Sequence, residues 1–181
     1  LPEEFAEYVD AKKASQLAGI AVKKGGFYFP RAGTVNIPSL CEALVKACGK
    51  KLKVHTNKKI SKLEYQQKWL LYDGKQLAAE ADSVIIANAT AAKELDICKN
   101  YPLSPLPGQL SLVCANNISG ALKLALSYEG HITPAKDKLH FIGSTYRHGR
   151  EQDLAESQRD HLLVESYLNK IAPLKLDFNH A

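Results

Sequence analysis

Apolar residues recur at helical spacing in three stretches of the chain. Residues 7–19, EYVDAKKASQLAG, end on Gly19, the residue type that most often closes a helix. Residues 37–49, IPSLCEALVKACG, have a proline in the first turn and a glycine at the end. Residues 153–173, DLAESQRDHLLVESYLNKIAP, form the third stretch. The pattern predicts three helices, and in the last one we expect these side chains to face a core: Leu154, Leu162, Leu163, Tyr167 and Leu168.

Short apolar runs bounded by turn signals predict strands elsewhere. Residues 25–36, GGFYFPRAGTVN, are typical of a strand that leaves a glycine turn and ends at a proline. The sequence YDGK at 72–75 predicts an Asp-Gly hairpin turn. The run SVIIA at 83–87 lacks polar alternation, which is typical of a strand covered on both faces in a parallel sheet. Between residues 52 and 86 we expect four strands, at Leu52 and Val54, at Ile60 and Leu63, at Trp69 and Leu71, and at Val84 to Ile86. Further strands are expected within residues 108–115, 121–135 and 138–149.

Size and charge narrow the function classes only slightly. A chain of 181 residues with 45% hydrophobic residues can bury one ordinary core, so we expect one compact unit. The formal net charge of +5 suits an acidic partner such as nucleic acid but does not demand one.

Cysteine, histidine and apolar patterns argue against several other classes. The four cysteines show no CxxC spacing, the acidic beginning LPEEFAEYVD is unlike a signal peptide, and no apolar run is long enough to span a membrane. We therefore expect a reduced, cytoplasmic protein without a membrane segment. The histidines show no metal-ligand spacing with cysteine or carboxylate, so we expect no metal site.

An ordered set of short motifs resembles the glycine oxidase and D-amino-acid oxidase group of flavoproteins. The motifs are ASQLAGI, GGFYFPRAGTVNIPSLCEALV, SVIIANA, SPLPGQLS, YEGHITPA, HFIGSTYRHG and DLAESQRDH. The last motif is most similar to the branch that forms the FAD-dependent half of bifunctional enzymes completing the 5-methylaminomethyl-2-thiouridine modification at the transfer RNA wobble position. Each motif is weak alone, but together they span most of the chain in the order found in the family.

The resemblance implies an α+β fold: the antiparallel-sheet substrate domain of a D-amino-acid-oxidase-like flavoprotein, with part of its FAD-binding α/β domain. On this basis residues 26–90 belong to a partial FAD-binding domain with an antiparallel excursion, and residues 91–181 form mainly the substrate-domain sheet and helix. The GxGxxG turn that binds the FAD diphosphate in the family does not occur in these residues, nor does the family's later arginine- and glycine-rich flavin segment. We therefore expect an internal fragment of a larger flavoenzyme. Pro107 also departs from the family, where arginine is frequent.

The resemblance also implies a reaction and partners. FAD would oxidise the carboxymethylaminomethyl arm of the wobble uridine, the imine would hydrolyse to release glyoxylate, and a primary amine would remain on the base. The implied partners are FAD, transfer RNA and a methyltransferase domain in the same full-length protein. Two alternatives stay open: an oxidase of a small free amine of the glycine or sarcosine type, and an inactive remnant.

Substrate contacts are implied at the ends of the predicted substrate-domain strands. Tyr146 and Arg147 follow the FIGST strand, where a phenol and a guanidinium could bind a carboxylate or phosphate. Thr133 lies in HITPA, where relatives line the pocket above the flavin, and Gln109 follows the Pro-Gly turn. A solvated strand end or an ordinary turn explains the same residues. We expect Gln109, Thr133 and Tyr146 to open into one concavity of one antiparallel sheet.

Cofactor contacts are implied at Ile60, Ala87, Asn88 and Gly108. Ile60 aligns with the strand residue whose backbone pairs with adenine, and Ala87 and Asn88 end the SVIIA strand close to the cofactor. Gly108 would allow the backbone to approach the flavin ring. Core packing, or a simple turn at Gly108, is the competing explanation.

A block of seven lysines lies between Lys46 and Lys62. It has no acidic residue between Glu42 and Glu64, so its potential favours phosphates. The alternative is a solvated surface with no ligand. The lysines are Lys46, Lys50, Lys51, Lys53, Lys58, Lys59 and Lys62.

Overall fold

The chain folds into two compact units, where its length suggested one. The computed structural model describes residues 2, 4–104, 106, 108–146 and 154–178, with backbone only for 154–157. The first unit comprises Leu1–Asn36 and Leu106–Ala181, and the second comprises Ile37–Pro105. These boundaries differ from the division expected at residues 26–90 and 91–181, and the functional assignment of those two parts stays a prediction.

The described elements combine helices with antiparallel sheets, as an α+β fold requires. The helices are α1 (Ala11–Ala18), α2 (Ile37–Cys48) and α3 (Leu154–Ile171). The strands are β1 (Glu7–Val9), β2 (Gly26–Tyr28), β3 (Ile60–Gln66), β4 (Lys68–Asp73), β5 (Gln76–Ala81), β6 (Leu110–Cys114), β7 (Leu126–Ser127), β8 (His131–Ile132) and β9 (Leu139–Gly143). Within the described residues they form the sheets β1-β2, β3-β4-β5 and β6-β9-β8-β7, all antiparallel.

The first predicted helix exists but begins later than the sequence pattern suggested. The Asp10 side chain accepts a hydrogen bond from the Lys13 amide at 2.7 Å and thereby caps the start of α1. Residues 7–9 are instead strand β1, which pairs with β2. Gly19 ends the helix in the left-handed conformation, with φ 75°, as expected.

The core of the first unit lies between the four-stranded sheet, α1, α3 and the segment that follows α3. Its most deeply buried residues include Val113, Ile132, Ile142, Leu168, Ala172 and Leu174. The predicted apolar face of α3 is partly wrong, because Leu162 and Leu163 are 67% and 40% exposed whereas Val164 is buried. Asp160 takes the core position one turn before Val164, and this buried polar residue hid the true stripe in the sequence.

The second unit is built around the meander β3-β4-β5. The Asp-Gly hairpin at 72–75 is confirmed between β4 and β5, with Gly74 at φ 60°. A small core forms where short 3-10 turns pack beneath β3, and it consists of Leu63, Ala92, Leu95 and Cys98.

Two of the strands predicted in this region are wrong, and one strand was missed. Residues 52–54 and 83–88 form no strand, whereas β5, with the sequence QLAAEA, does. A strand requires a paired neighbour, and within the described residues no strand pairs with 83–88. Val84 and Ile86 pack against the small core, but Ile85 is 91% exposed. Helix α2 is confirmed, yet none of its residues is buried.

Candidate functional site

A cavity in the second unit brings together three of the four residues that resemblance assigned to the cofactor. Ile60, Ala87 and Asn88 all line it, and its volume is about 480 Å³. Gly108 lies in the first unit. The remaining lining residues are Lys58, Lys59, Leu63, Leu71, Val84, Ile85, Ile86, Ala91, Glu94 and Leu95.

The cavity has apolar walls and a charged rim, and each comes from a different part of the fold. Strand β3 starts at Ile60, which pairs with Asp73 of β4, and the register shifts between Ile60 and Lys62. The unpaired segment 83–88 supplies the facing wall. At the rim, Lys59 pairs with Glu94 at 3.3 Å, and Lys58 lies 3.8 Å from Asp73.

The residues that line this cavity fit the adenine end of FAD better than its diphosphate. Aliphatic walls suit the faces of a planar ring, and the amide of Asn88 together with free backbone groups of an unpaired segment can match ring nitrogens. The 181 residues contain no glycine-rich turn before a helix, the arrangement that holds a diphosphate. The cofactor role of Ile60, Ala87 and Asn88 stays a prediction. The strand that was predicted to end at Ala87 and Asn88 does not form.

In the first unit, a buried hydrogen-bond network holds the strand ends that carry the substrate candidates. Gln109 donates its amide to Thr145 Oγ1 at 3.3 Å, and Thr145 donates its own amide to the Gln109 carbonyl at 3.3 Å. The Thr145 hydroxyl donates to Asp160 Oδ2 at 2.9 Å. Asp160 is 1% exposed and Thr145 is 5% exposed, so water is excluded from this connection. The Thr145 hydroxyl thus connects helix α3 to the Gln109 backbone.

Gly108 is required by the close approach of two backbones. A Cβ atom at this position would lie 2.6 Å from the Thr145 carbonyl oxygen, closer than real Cβ contacts allow. It would also lie 3.7 Å from Cδ1 of Tyr146, so the Tyr146 ring is a direct neighbour. Packing inside the protein therefore explains this glycine without a flavin, and its predicted cofactor role remains a prediction.

Thr133 follows β8, the strand that pairs with β9 on the side opposite to β6. Its amide donates to the Phe141 carbonyl at 3.1 Å, its hydroxyl accepts from the Phe141 amide at 3.2 Å, and its carbonyl accepts from Nδ1 of His140 at 2.8 Å. The sheet that resemblance predicted around Gln109, Thr133 and Tyr146 therefore exists.

The common concavity of these substrate candidates stays a prediction. The cavity around Ile60 is not lined by Gln109, Thr133 or Tyr146. Tyr146 is 70% exposed. Arg147 lies outside the described residues.

Sequence reasoning missed Thr145 and Asp160, which connect strand and helix. Asp160 precedes Val164 by four positions and Leu168 by eight, so it continues the buried stripe of α3. An acidic residue in register with core positions was the signal that could have indicated a buried polar contact.

The lysine block contains both paired and unpaired cations. Lys58 and Lys59 pair with acids at the cavity rim, and Lys62 lies 2.5 Å from Glu64. The hydrogen bond between Lys62 and Glu64 raises the pKa of the lysine and lowers the pKa of the carboxyl. The cations left for a phosphate are therefore Lys46, Lys50, Lys51 and Lys53, which form no ion pair within the described residues.

No three histidine, cysteine or acidic side chains in the described part of the chain converge in a way that could hold a metal ion. No helix there has the length and hydropathy needed to cross a bilayer.

Comparison with known families and structures supplies the class of protein that this fold belongs to. The profile of the FAD dependent oxidoreductase family matches residues 2–180, nearly the whole chain. The chain belongs to this family of flavoproteins. Solved glycine oxidases share the fold: that of Bacillus cereus superposes with a TM-score of 0.75 over 97% of this chain at 13% identity, and that of Geobacillus kaustophilus with 0.72 over 94% at 19% identity.

Sequence relatives point to a particular branch of the family. The chain is 33% identical, over 97% of its length, to the tRNA 5-methylaminomethyl-2-thiouridine biosynthesis bifunctional protein MnmC of Methylobacillus flagellatus. It is 30% identical, over 94% of its length, to the protein of the same name from Legionella pneumophila strain Corby. The chain spans 27% and 24% of these two relatives, and 51% and 47% of the two glycine oxidase chains.

Proposed function

We propose that the chain is part of a FAD-dependent oxidoreductase that oxidises a CH–NH bond in a modified wobble uridine of transfer RNA. The observation that carries the proposal is the family match over residues 2–180, combined with relatives that are named for transfer RNA thiouridine biosynthesis. The reaction removes the carboxymethyl group of 5-carboxymethylaminomethyl-(2-thio)uridine and leaves the aminomethyl uridine.

The chemistry of this step balances without an acid–base triad. Bound FAD would accept the hydride from the methylene between the secondary amine and the carboxylate. Water then hydrolyses the resulting imine to glyoxylate and the primary amine. The protein's task is to hold the arm so that its methylene faces the cofactor and its carboxylate is paired.

The described residues support this task in two places. The cavity around Ile60, Ala87 and Asn88 offers apolar walls for the adenine of FAD. The sheet edge at Gln109 and Tyr146, braced by the Thr145–Asp160 hydrogen bond, offers a rigid backbone and an exposed phenol for the substrate arm.

The test uses the polypeptide in its native length with two substrates. Transfer RNA carrying the carboxymethylaminomethyl arm should yield glyoxylate and a nucleoside lighter by the carboxymethyl group, both measurable by mass spectrometry. Free glycine and sarcosine should yield little hydrogen peroxide. Faster turnover of a free amine would favour the alternative oxidase, and a purified protein without bound flavin would favour an inactive remnant.

A further inference from the structure

An open groove in the first unit is lined by residues that the proposed oxidation does not use. Its volume is about 870 Å³, within the range of about 300–1,000 Å³ typical of ligand sites. Its walls come from α1, from β2 with the loop that follows it, and from residues 123–128. All of these segments belong to the same compact unit.

Aromatic side chains form much of the groove wall: Phe27, Tyr28, Phe29 and Tyr128. Phe27 and Phe29 are 66% and 44% exposed, which is unusual for phenylalanine. Edge-on contacts hold both rings, Phe27 with Tyr8 at 5.8 Å and Phe29 with Phe5 at 6.1 Å between centroids. Exposed rings that neighbours hold in place are suited to stacking with a planar ligand.

The groove is also electrostatically one-sided. Lys24 and Lys123 are the charged residues among its described lining residues, and no carboxylate lines it. Neither lysine forms an ion pair within the described residues. By contrast, Lys23 donates to the Asn169 carbonyl at 2.6 Å, and Lys170 lies 3.5 Å from Glu129. The two groove lysines are thus available to an anionic group.

Tyr128 contributes its ring to the groove but not its hydroxyl. Its Oη is shielded from solvent, and the side chain packs against the core of this unit. A ligand in the groove therefore meets the ring face and the lysines.

We propose that this groove binds an unpaired nucleotide of transfer RNA, with its base against Phe27 and Phe29 and its phosphates at Lys24 and Lys123. Stacking faces and unpaired cations together match a base with its phosphates. An acidic peptide would use the lysines but would leave the exposed rings without a stacking partner. The identity of the RNA rests on the proposed function, whereas the base-plus-phosphate chemistry rests on the groove alone.

The test measures binding of the protein to a fluorescein-labelled oligouridine of about 12 nucleotides, a length that single-stranded sites accommodate. The double variant Lys24→Gln/Lys123→Gln should lower the slope of log affinity against log salt by roughly 1.4, about 0.7 for each lost phosphate contact. Phe27→Leu should weaken binding by about fivefold or more through lost stacking. Tyr128→Phe should leave binding unchanged, because the hydroxyl that it removes is shielded from solvent.

Matched controls separate the groove from the general basic surface. Lys12→Gln/Lys13→Gln removes two exposed lysines that do not line the groove and should leave affinity and salt slope unchanged. An abasic strand of equal length should bind Phe27→Leu as well as it binds the wild type, because it has no base to stack. Uridine monophosphate should bind far more weakly than the strand.

The proposal is wrong if the double variant of Lys24 and Lys123 leaves the salt slope unchanged, or if the control variant lowers it as much. It is equally wrong if the groove variants change only the sedimentation of the protein, which would identify a second copy as the occupant. Circular dichroism of each variant checks folding, and the exposure of Phe27 and both lysines makes misfolding a minor risk. RNA binding is measured without flavin or turnover, so this result and the oxidation assay fail independently.

Discussion

At the scale of single residues, the most consequential group is the hydroxyl of Thr145. It accepts from the Gln109 amide and donates to the buried carboxylate of Asp160. One side chain therefore connects the start of β6, the end of β9 and helix α3. The motif DLAESQRDH indicated a family branch from the sequence, and in the structure its Asp160 supplies a specific internal contact.

Replacing Thr145 tests this connection. Thr145→Val keeps the shape but removes the hydroxyl, so a buried amide and a buried carboxylate each lose a partner. We expect the free energy of unfolding to fall by about 1–3 kcal/mol, measured by urea denaturation. Thr145→Ser, which keeps the hydroxyl, is the control and should lose clearly less. A loss in Thr145→Ser with none in Thr145→Val would mean that the methyl group, not the hydrogen bonds, stabilises this site.

Because the Tyr128 phenol is buried, we expect the free energy of unfolding to fall at alkaline pH. Burial raises the pKa of its phenol to about 12 from an ordinary value of 10.0. Above about pH 10 the unfolded state releases the proton first and binds fewer protons than the folded state, so stability falls as the pH rises toward 12. Below pH 10 this contribution is fully present.

The variant Tyr128→Phe isolates that effect from other titrating groups. Urea midpoints at about pH 9 and about pH 11 should drop less between the two conditions in the variant than in the wild type. The opposite ordering would contradict a buried, neutral phenol.

At the scale of elements, local signals predicted helices and turns well, whereas burial and pairing depended on distant residues. Gly19 and the Asp-Gly turn at 72–75 were predictable because their conformations are set by the glycines themselves. The start of α1 was predictable from Asp10 as a capping residue, but apolar spacing alone placed it too early.

The strand predicted at 83–87 shows the limit of local reasoning. Its apolar run is real, but strand formation depends on a neighbour that no local pattern supplies. The burial of α2 could not be predicted for the same reason. An amphipathic pattern indicates which side of a helix prefers burial, but it does not indicate which element covers that side, and no residue of α2 is buried. Ile60, Ala87 and Asn88, which were predicted to contact the cofactor, line one cavity even though the strand predicted at 83–87 does not form.

Gly19 offers a test at this scale, because it combines a left-handed conformation with close packing. A Cβ there would lie 2.5 Å from the Ala121 carbonyl oxygen. Gly19→Ala should therefore lower the free energy of unfolding by at least about 2 kcal/mol, as judged by urea denaturation. Gly33→Ala is the matched control: its Cβ would meet nothing within 4 Å, and its effect should stay within about 0.5 kcal/mol. Similar losses at both glycines would argue against the packing around Gly19.

At the scale of the whole molecule, family membership was accessible from the order of weak motifs, and the matched profile covers residues 2–180. The division into two units was not accessible, because the first unit joins residues far apart in sequence. The candidate site divides in the same way. The cavity around Ile60, Ala87 and Asn88 lies in the second unit, and the Gln109–Thr145–Asp160 network lies in the first.

The positions of the predicted cofactor residues lead to a last prediction, that these 181 residues alone do not retain FAD. The cavity around Ile60, Ala87 and Asn88 can take the adenine end, but a diphosphate needs several backbone amides at a helix start, and the chain has no GxGxxG turn. After incubation with excess FAD and gel filtration, the protein peak should lack the visible absorbance of flavin. Ile60→Glu, which places a charge in the cavity, should not change that result. Flavin that co-elutes with the wild type and is lost from Ile60→Glu would contradict the prediction and show that the cavity binds the cofactor without a diphosphate turn.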